Sequence, residues 1–299
     1  MRRVASIAIF VAGLGTAYAF AQDDMSQVQI RAVEIRPGVA VLFGQGGNIG
    51  VSHGPDGTMI VDNQFAPLTP KIQAAIEGLG AAPVKFVVNT HWHFDHAGGN
   101  ENFGNAGATI VAHENVRQRL MTGGTVAGND TPPAPSAALP IITYDDNVTL
   151  HLNGDDIEVI HTGGGHTDGD SVVFWRRANV LHTGDMMMNG LGFPFIDISS
   201  GGNVEHLLGS LDKMIDMTDG ETVIIPGHGE LADRMDLIGW RRMIDMAVDR
   251  VDDLRDAGLT LEEIRAQKPL AGLRNAEGGF VSEDDFLQAI WTSLEANNR

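Results

Sequence analysis

Six consecutive residues, His91-Trp92-His93-Phe94-Asp95-His96, constrain this chain more than any other stretch. Three imidazoles and a carboxylate at that density form the donor set of zinc or another borderline first-row metal. An apolar run at 84–88 precedes them and reads as a buried strand. Ala97-Gly98-Gly99-Asn100 follows and reads as a turn. The ligand-type side chains therefore sit where a strand ends and the backbone bends. A single histidine would be read as an ordinary surface or core residue; four ligand-type residues in six are a motif.

The rest of the chain can bury such a motif. Its 299 residues, 43% of them hydrophobic, suffice for a domain with a sizeable core. A formal charge of −19 argues against nucleic acid as a partner and is most simply a solubility feature. Cysteine is absent, which removes disulfides, thiolate ligands and a lipid-modified cysteine anchor. Arg2-Arg3, the small and apolar stretch 4–17 and Ala19-Phe20-Ala21 read as a signal peptide over 1–21. The apolar stretch is short for a membrane span, so no stable anchor is expected. The expectation is export to a periplasm or beyond, with one domain over 22–299 starting near Gln22.

Strands are expected at 27–34, 39–43, 48–53 and 58–61, an antiparallel opening. Gln45-Gly46-Gly47 between two of them reads either as a flexible flap or as a plain hairpin tip. Thr69 is expected to cap a helix with Pro70 in its first turn, Ile72, Ile76 and Leu79 on its apolar face and Gly80 at its end. A strand at 109–112 and a helix at 114–121 follow. Residues 122–140, rich in Gly, Thr, Pro and Ala, read as a long surface loop beside the site. Hairpins are expected at 147–161 and 171–183, a helix at 204–217 and a strand at 222–225. The C-terminal part, about 233–299, is helical. Its 233–256 segment carries an apolar stripe from Leu237 to Leu254, Thr260 and Glu263 form a capping box, and Ser282 begins a last helix.

Three later stretches offer metal ligands, each at a strand end. His161-Thr162-Gly163-Gly164-Gly165-His166 leaves a strand through three glycines; His182-Thr183-Gly184-Asp185 and Pro226-Gly227-His228-Gly229 end two others. With the His91 run, these motifs resemble those of the metallo-β-lactamase superfamily over about residues 28–235. The resemblance implies a four-layer αββα sandwich, in the α/β (α+β) class, with two metal ions. His91, His93 and His166 would hold the first metal and Asp95, His96 and His228 the second, with Asp185 bridging. Zinc is the first choice of metal, with manganese or iron also fitting nitrogen and oxygen donors. Asp62, which ends the 58–61 strand, matches a common acid of the family that orients a ligand imidazole. His161 and His182 are assigned supporting roles near the site. His53, His113, His151 and His206 are read as surface or satisfied polar residues.

The implied activity is hydrolysis of a small molecule. An activated water attacks the carbonyl of a lactam, lactone or ester-type substrate, and Asp95 orients it and passes on a proton. The chain departs from true β-lactamase patterns. It has no cysteine, His91 stands where one subclass has asparagine, and Asp185 is an acid that another subclass usually lacks. Asp185 looks more like lactonases, glyoxalase-type thioesterases and phosphodiesterases. Iron oxidoreductases on the same fold form the alternative class. Met186, Asn189, Phe193 and Phe195, after the bridging acid, are expected to wall an apolar substrate pocket; packing in the core is the competing reading.

Overall fold

Val39-Ala40-Val41-Leu42 shows how the layers arise. In a strand, alternate side chains face opposite ways. Val39 and Val41 pack with Val159, Val173 and Trp175, while Ala40 and Leu42 pack with Ile72, Ile76 and Phe103. Both faces of this strand are buried, so it reads as an unbroken apolar run. A computed structural model describes residues 25–273 and 279–297; the expected signal peptide at 1–21 lies outside the described residues.

The first sheet orders its strands β1 (Arg31–Arg36), β2 (Val39–Phe43), β3 (Ile49–Gly54), β4 (Gly57–Val61), β5 (Val84–Val88), β6 (Thr109–His113) and, after a separate two-stranded hairpin of β7 (Gly124–Val126) and β8 (Asn129–Thr131), β9 (Ile142–Tyr144). Strands β1–β4 are antiparallel neighbours, and β4, β5, β6 and β9 run parallel. The second sheet is β10 (Asn147–Leu152), β11 (Asp155–His161), β12 (Ser171–Trp175), β13 (Val180–His182) and β14 (Val223–Ile225), antiparallel except for the β13–β14 pair.

Helices complete the sandwich. α1 (Thr69–Gly78), α2 (Phe94–Ala97), α3 (Asn100–Asn105) and α4 (Glu114–Thr122) follow strands of the first sheet. α5 (Val204–Met217), α6 (Arg234–Asp256), α7 (Leu261–Gln267) and α8 (Glu283–Asn297) belong to the second half. One core lies between the sheets, joining Met59, Val61, Val88 and Val111 to Ile157, Val159, Val180 and Ile225. A second lies under α1 and α3. A third joins Val172, Phe174 and Leu181 to Leu207, Leu211, Trp240, Ile244, Phe286 and Ile290. These three cores define the four layers αββα. Each fully buried Val, Leu or Ile contributes ~1.5–3 kcal/mol relative to exposure, so the layers stay together through many such terms.

Several local expectations change. The first strand starts at Arg31, with only a short 3-10 turn at Met25–Gln27 before it. Thr69 is the first helical residue rather than the cap, and its hydroxyl accepts from Asn102 Nδ2 at 3.0 Å. The expected loop at 122–140 contains the β7–β8 hairpin and a single 3-10 turn at Ser136–Ala138. Strand β9 and the short helices α2 and α3 were not expected; too few residues repeat in each for a periodicity to show. Asp233 caps α6 in a capping box with Asp236. Gln45-Gly46-Gly47 is fastened: Gly47 N donates to Asp95 O at 3.0 Å, and Gln64 Nε2 donates to Gly47 O at 2.7 Å. A Cβ on Gly47 would lie 2.2 Å from His96 Cε1, so only glycine lets the backbone approach that ring. No helix among the described residues is long and apolar enough to cross a membrane.

Candidate metal centre

Five strands deliver the site. β4, β5, β11, β13 and β14 all end at one rim, because β4 and β5 are parallel, β13 and β14 are parallel, and β11 is two antiparallel steps from β13. After β5 the chain bends at Thr90 and His91 and runs on to His93, whose extended backbone leads into the single turn α2. The bend places His91 and His93, and the helical turn brings Asp95 and His96 around to a second position. After β11, Gly165 has φ +152, and a Cβ there would meet Leu207 Cα at 2.6 Å. That glycine lets the chain pass close under α5 and present His166.

Seven residues expected as ligands converge. Their ligand atoms form three overlapping triads, His91–His93–His166, His91–His96–Asp185 and Asp95–His96–His228, each within 4.8 Å. Asp185 Oδ1 is 3.0 Å from His96 Nε2, and Asp185 Oδ2 is 3.3 Å from His228 Nε2. Asp95 Oδ2 is also 3.3 Å from His228 Nε2.

The far nitrogens of these rings show what the near ones must do. His96 Nδ1 donates to Asp62 Oδ2 at 2.7 Å, His93 Nε2 to Asp197 Oδ2 at 2.9 Å, and His166 Nδ1 to the Phe195 carbonyl at 2.6 Å. Thr90 spends its one proton on Asp62 Oδ2, so at 3.0 Å its oxygen accepts from His91 Nδ1. Each neutral ring therefore presents a bare lone pair inward. His93 Nδ1 faces His166 Nε2 at 3.0 Å, and His91 Nε2 is buried with no hydrogen-bond partner. Facing lone pairs repel unless a cation lies between them. The donor set, three imidazoles beside two imidazoles and two carboxylates, suits divalent metal.

Electrostatics agree. Burial, reinforced by His96, His166 and His93, keeps His91 well below the usual imidazole range, and burial with His93 pushes His166 down to about 4. Both remain neutral ligands at pH 7. Burial works against the charge of Asp185, but His228 and His96 outweigh it and hold the carboxyl well below the usual range. Burial likewise opposes protonation of His228, yet Asp185 and Asp95 raise it to about 10. Asp185, Asp95 and Asp62 hold His96 well above its ordinary value against burial. Without metal, protons on these two rings take the cation's place.

A family model described as the metallo-beta-lactamase superfamily matches residues 43–228, a span that holds all seven of these residues. The chain belongs to that superfamily. It is similar to the metallo-beta-lactamase type 2 of Bacteroides fragilis, 26% identical over 185 residues, 58% of this chain and 69% of that one. It is also similar to an acyl-coenzyme A thioesterase of Bos taurus, 23% identical over 175 residues, 52% of this chain and 60% of that one. Among solved structures, a metallo-beta-lactamase from Pontibacter korlensis superposes with a TM-score of 0.62 at 20% identity, over 73% of this chain and 99% of that one. A stereoselective inverting sec-alkylsulfatase from Pseudomonas sp. superposes with a TM-score of 0.64 at 19% identity, over 88% of this chain and 50% of that longer one. These likenesses show the fold. Membership makes the chain a metal-dependent hydrolase of the metallo-beta-lactamase superfamily.

In this superfamily member Asp62 does what an orienting acid must: it accepts from His96, Thr90 N and Thr90 Oγ1. It sits at φ +63, a left-handed turn that Asp tolerates and that aims it back across the strand ends. His182 Nε2 donates to Asn48 O at 3.0 Å and its Nδ1 accepts from Gly184 N, which fixes the turn before Asp185. His161 reaches the site less directly. It stacks on His113 at 4.0 Å and donates to Asp170 O, while the Asp170 carboxylate holds the backbone N–H groups of His166 and Thr167. His151 and His206 are exposed, His53 is half-buried near Glu34, and both nitrogens of His113 are hydrogen-bonded.

Three of the four expected pocket residues do not line the hollow over the cluster. Met186 is fully buried in the core, with its carbonyl held by Trp240 Nε1 at 3.0 Å. Phe193 is buried against Phe286, with ring centroids 5.1 Å apart. Their place on the inner side of the loop after Asp185 turns them away from the rim. Asn189 lines a neighbouring hollow and bonds the carbonyls of Glu230 and Leu231. Phe195 does line the hollow over the cluster, with Met188 and Leu191. Asp197 and Asp170 escape the sequence reading. Acidic residues that bond to a ligand from a distant loop leave no local pattern, although Asp170 follows the glycine turn by few residues.

Proposed function

We propose that this protein is an exported dinuclear zinc hydrolase in which water attacks the carbonyl carbon of a lactam, lactone or ester-type substrate and the acyl C–N or C–O bond breaks. The observation that supports it best is the inward set of bare imidazole lone pairs on His91, His93 and His166, each fixed by an acceptor behind it. His91, His93 and His166 would hold one ion, Asp95, His96 and His228 the other, and Asp185 would bridge. Bound there, the two ions supply Lewis acidity and lower the pKa of a water to about 7. Asp95 lines the hollow and is half-buried. Burial opposes its ionisation, but His96 and His228 keep its carboxyl below the usual range. It is therefore an acceptor at neutral pH, able to orient a water and to carry its proton toward a leaving group. A thioester is the second reading, favoured by the bovine relative named an acyl-coenzyme A thioesterase.

One preparation of the full chain tests the proposal. Elemental analysis should find two zinc ions per chain, and mass spectrometry of the periplasmic fraction a start near Gln22. A panel of nitrocefin, a homoserine lactone, an ester and a thioester should reveal turnover. Asp95→Ala, checked for metal content, should lose about 10²–10⁴-fold in kcat. Bound iron, an unprocessed cytoplasmic chain, no turnover in the panel, or an Asp95→Ala rate near wild type would each remove its part of the proposal.

A further inference from the structure

The hollow over the cluster has a polar floor and apolar walls. Asp95, Asp185, His93 and His228 face it from below; Phe65, Phe94, Val126, Leu191, Phe195 and Phe280 form most of its sides. No lysine or arginine among the described residues lines it. Its volume of about 250 Å³ is small, below the ~300–1,000 Å³ typical of drug-sized pockets. A carboxylate, phosphate or sulfate lying against these walls, away from the cluster, would lose water and gain no fork or ammonium in return. Arg31 lines the adjoining hollow, but Glu230 pairs with it at 3.5 Å and its guanidinium lies 4.1 Å over the Phe43 ring. The chain's −19 charge adds general repulsion of anions.

Phe280 supplies the outer wall. It lies well past residue 228, where the family match ends, and just before α8. It is 69% exposed and touches Phe195 edge to face, with centroids 5.6 Å apart. Phe195 in turn stands 5.5 Å from the His166 ring and 6.0 Å from the His93 ring. Leu191, on the loop after Asp185, is also exposed at 42%. An apolar chain laid from the cluster outward would cover Phe195, then Leu191 and Phe280, and remove that surface from water.

Resting on the hydrolase reading above, we propose that the substrate is an uncharged lactone, ester or thioester with a flexible apolar acyl chain, and that Phe280 and Leu191 form the wall that selects this chain. Each methylene buried on binding contributes ~0.8 kcal/mol, so a few of them give a preference of about tenfold or more.

The test uses the zinc-loaded full chain and three p-nitrophenyl esters: acetyl, octanoyl, and an octanoyl analogue ending in a carboxylate. The octanoyl ester should exceed both others in kcat/KM by at least about tenfold. Phe280→Ala should collapse the octanoyl-to-acetyl ratio, Phe280→Trp should restore it, and Phe280→Lys should raise the carboxylate-ended ester relative to the octanoyl one. Calorimetry with octanamide, which carries no ester, should show the same order of binding among these variants. Turnover of all three esters without preference, or a ratio unmoved by Phe280→Ala, overturns the inference and leaves the hydrolase reading intact. No turnover of any ester, lactone or thioester by zinc-verified protein overturns the hydrolase reading, and the inference with it.

Discussion

Asp197 shows how much a single acceptor can decide. Its Oδ2 takes the Nε2 proton of His93 and a hydroxyl proton from Ser200, whose oxygen in turn accepts from Trp92 Nε1 at 2.9 Å. The ring of His93 is thereby locked with Nδ1 facing inward. Burial opposes its charge, but His93, Ser199 and Ser200 hold the carboxyl well below the usual carboxylate range, so it stays an acceptor at any working pH. Removing such a partner typically weakens metal binding 10–100-fold. Asp197→Ala should lose zinc by about that factor in competition with a chelator, and Asp197→Asn, which keeps one acceptor, should lose less. Unchanged affinity in Asp197→Ala would mean the ring is fixed by packing alone.

At the scale of elements, α6 does more than cover a sheet. Its apolar stripe buries Leu237, Trp240, Ile244, Ala247 and Val251. Trp240 also reaches through to the Met186 carbonyl, one residue past Asp185. The helix is therefore tied to the loop that carries the central acid. Trp240→Ala should cost about 3–5 kcal/mol in urea unfolding, with the higher part of that range reached if Met186 O is left unpaired. A loss below about 1 kcal/mol would show that the neighbouring side chains refill the space. The stripe was legible in the sequence because it repeats over about five turns. The β7–β8 hairpin was not, since three residues per strand give no alternation to read, yet Val126 at its tip faces the hollow.

The whole molecule couples protons to metal. His228, raised to about 10, and His96, also raised, gain charge partners on folding. In metal-free protein their contribution to stability is complete below the unfolded imidazole pKa of about 6.5 and is lost as pH rises toward the folded values. Metal takes only the neutral rings, so its apparent affinity rises over the same interval. The gap in Tm between zinc-loaded and metal-free protein should widen from pH 6.5 to 9, and zinc uptake should release protons in calorimetry across buffers. A constant gap would place the protons on other groups. The sequence by itself placed donor-type residues, His91 to His96, His166, Asp185 and His228 among them, at strand ends marked by local apolar runs and glycine turns; their selection as one ligand set came from the resemblance to the superfamily. Its apolar runs and amphipathic helices also marked a mixed α and β chain, while the four-layer arrangement came only from the resemblance to the superfamily. Only the tertiary structure decided which acceptor fixes each ring, which side of the Met186–Phe195 loop faces inward, and that Phe280 closes the hollow. Those depend on contacts between segments far apart in the chain, and such contacts leave no periodicity to read.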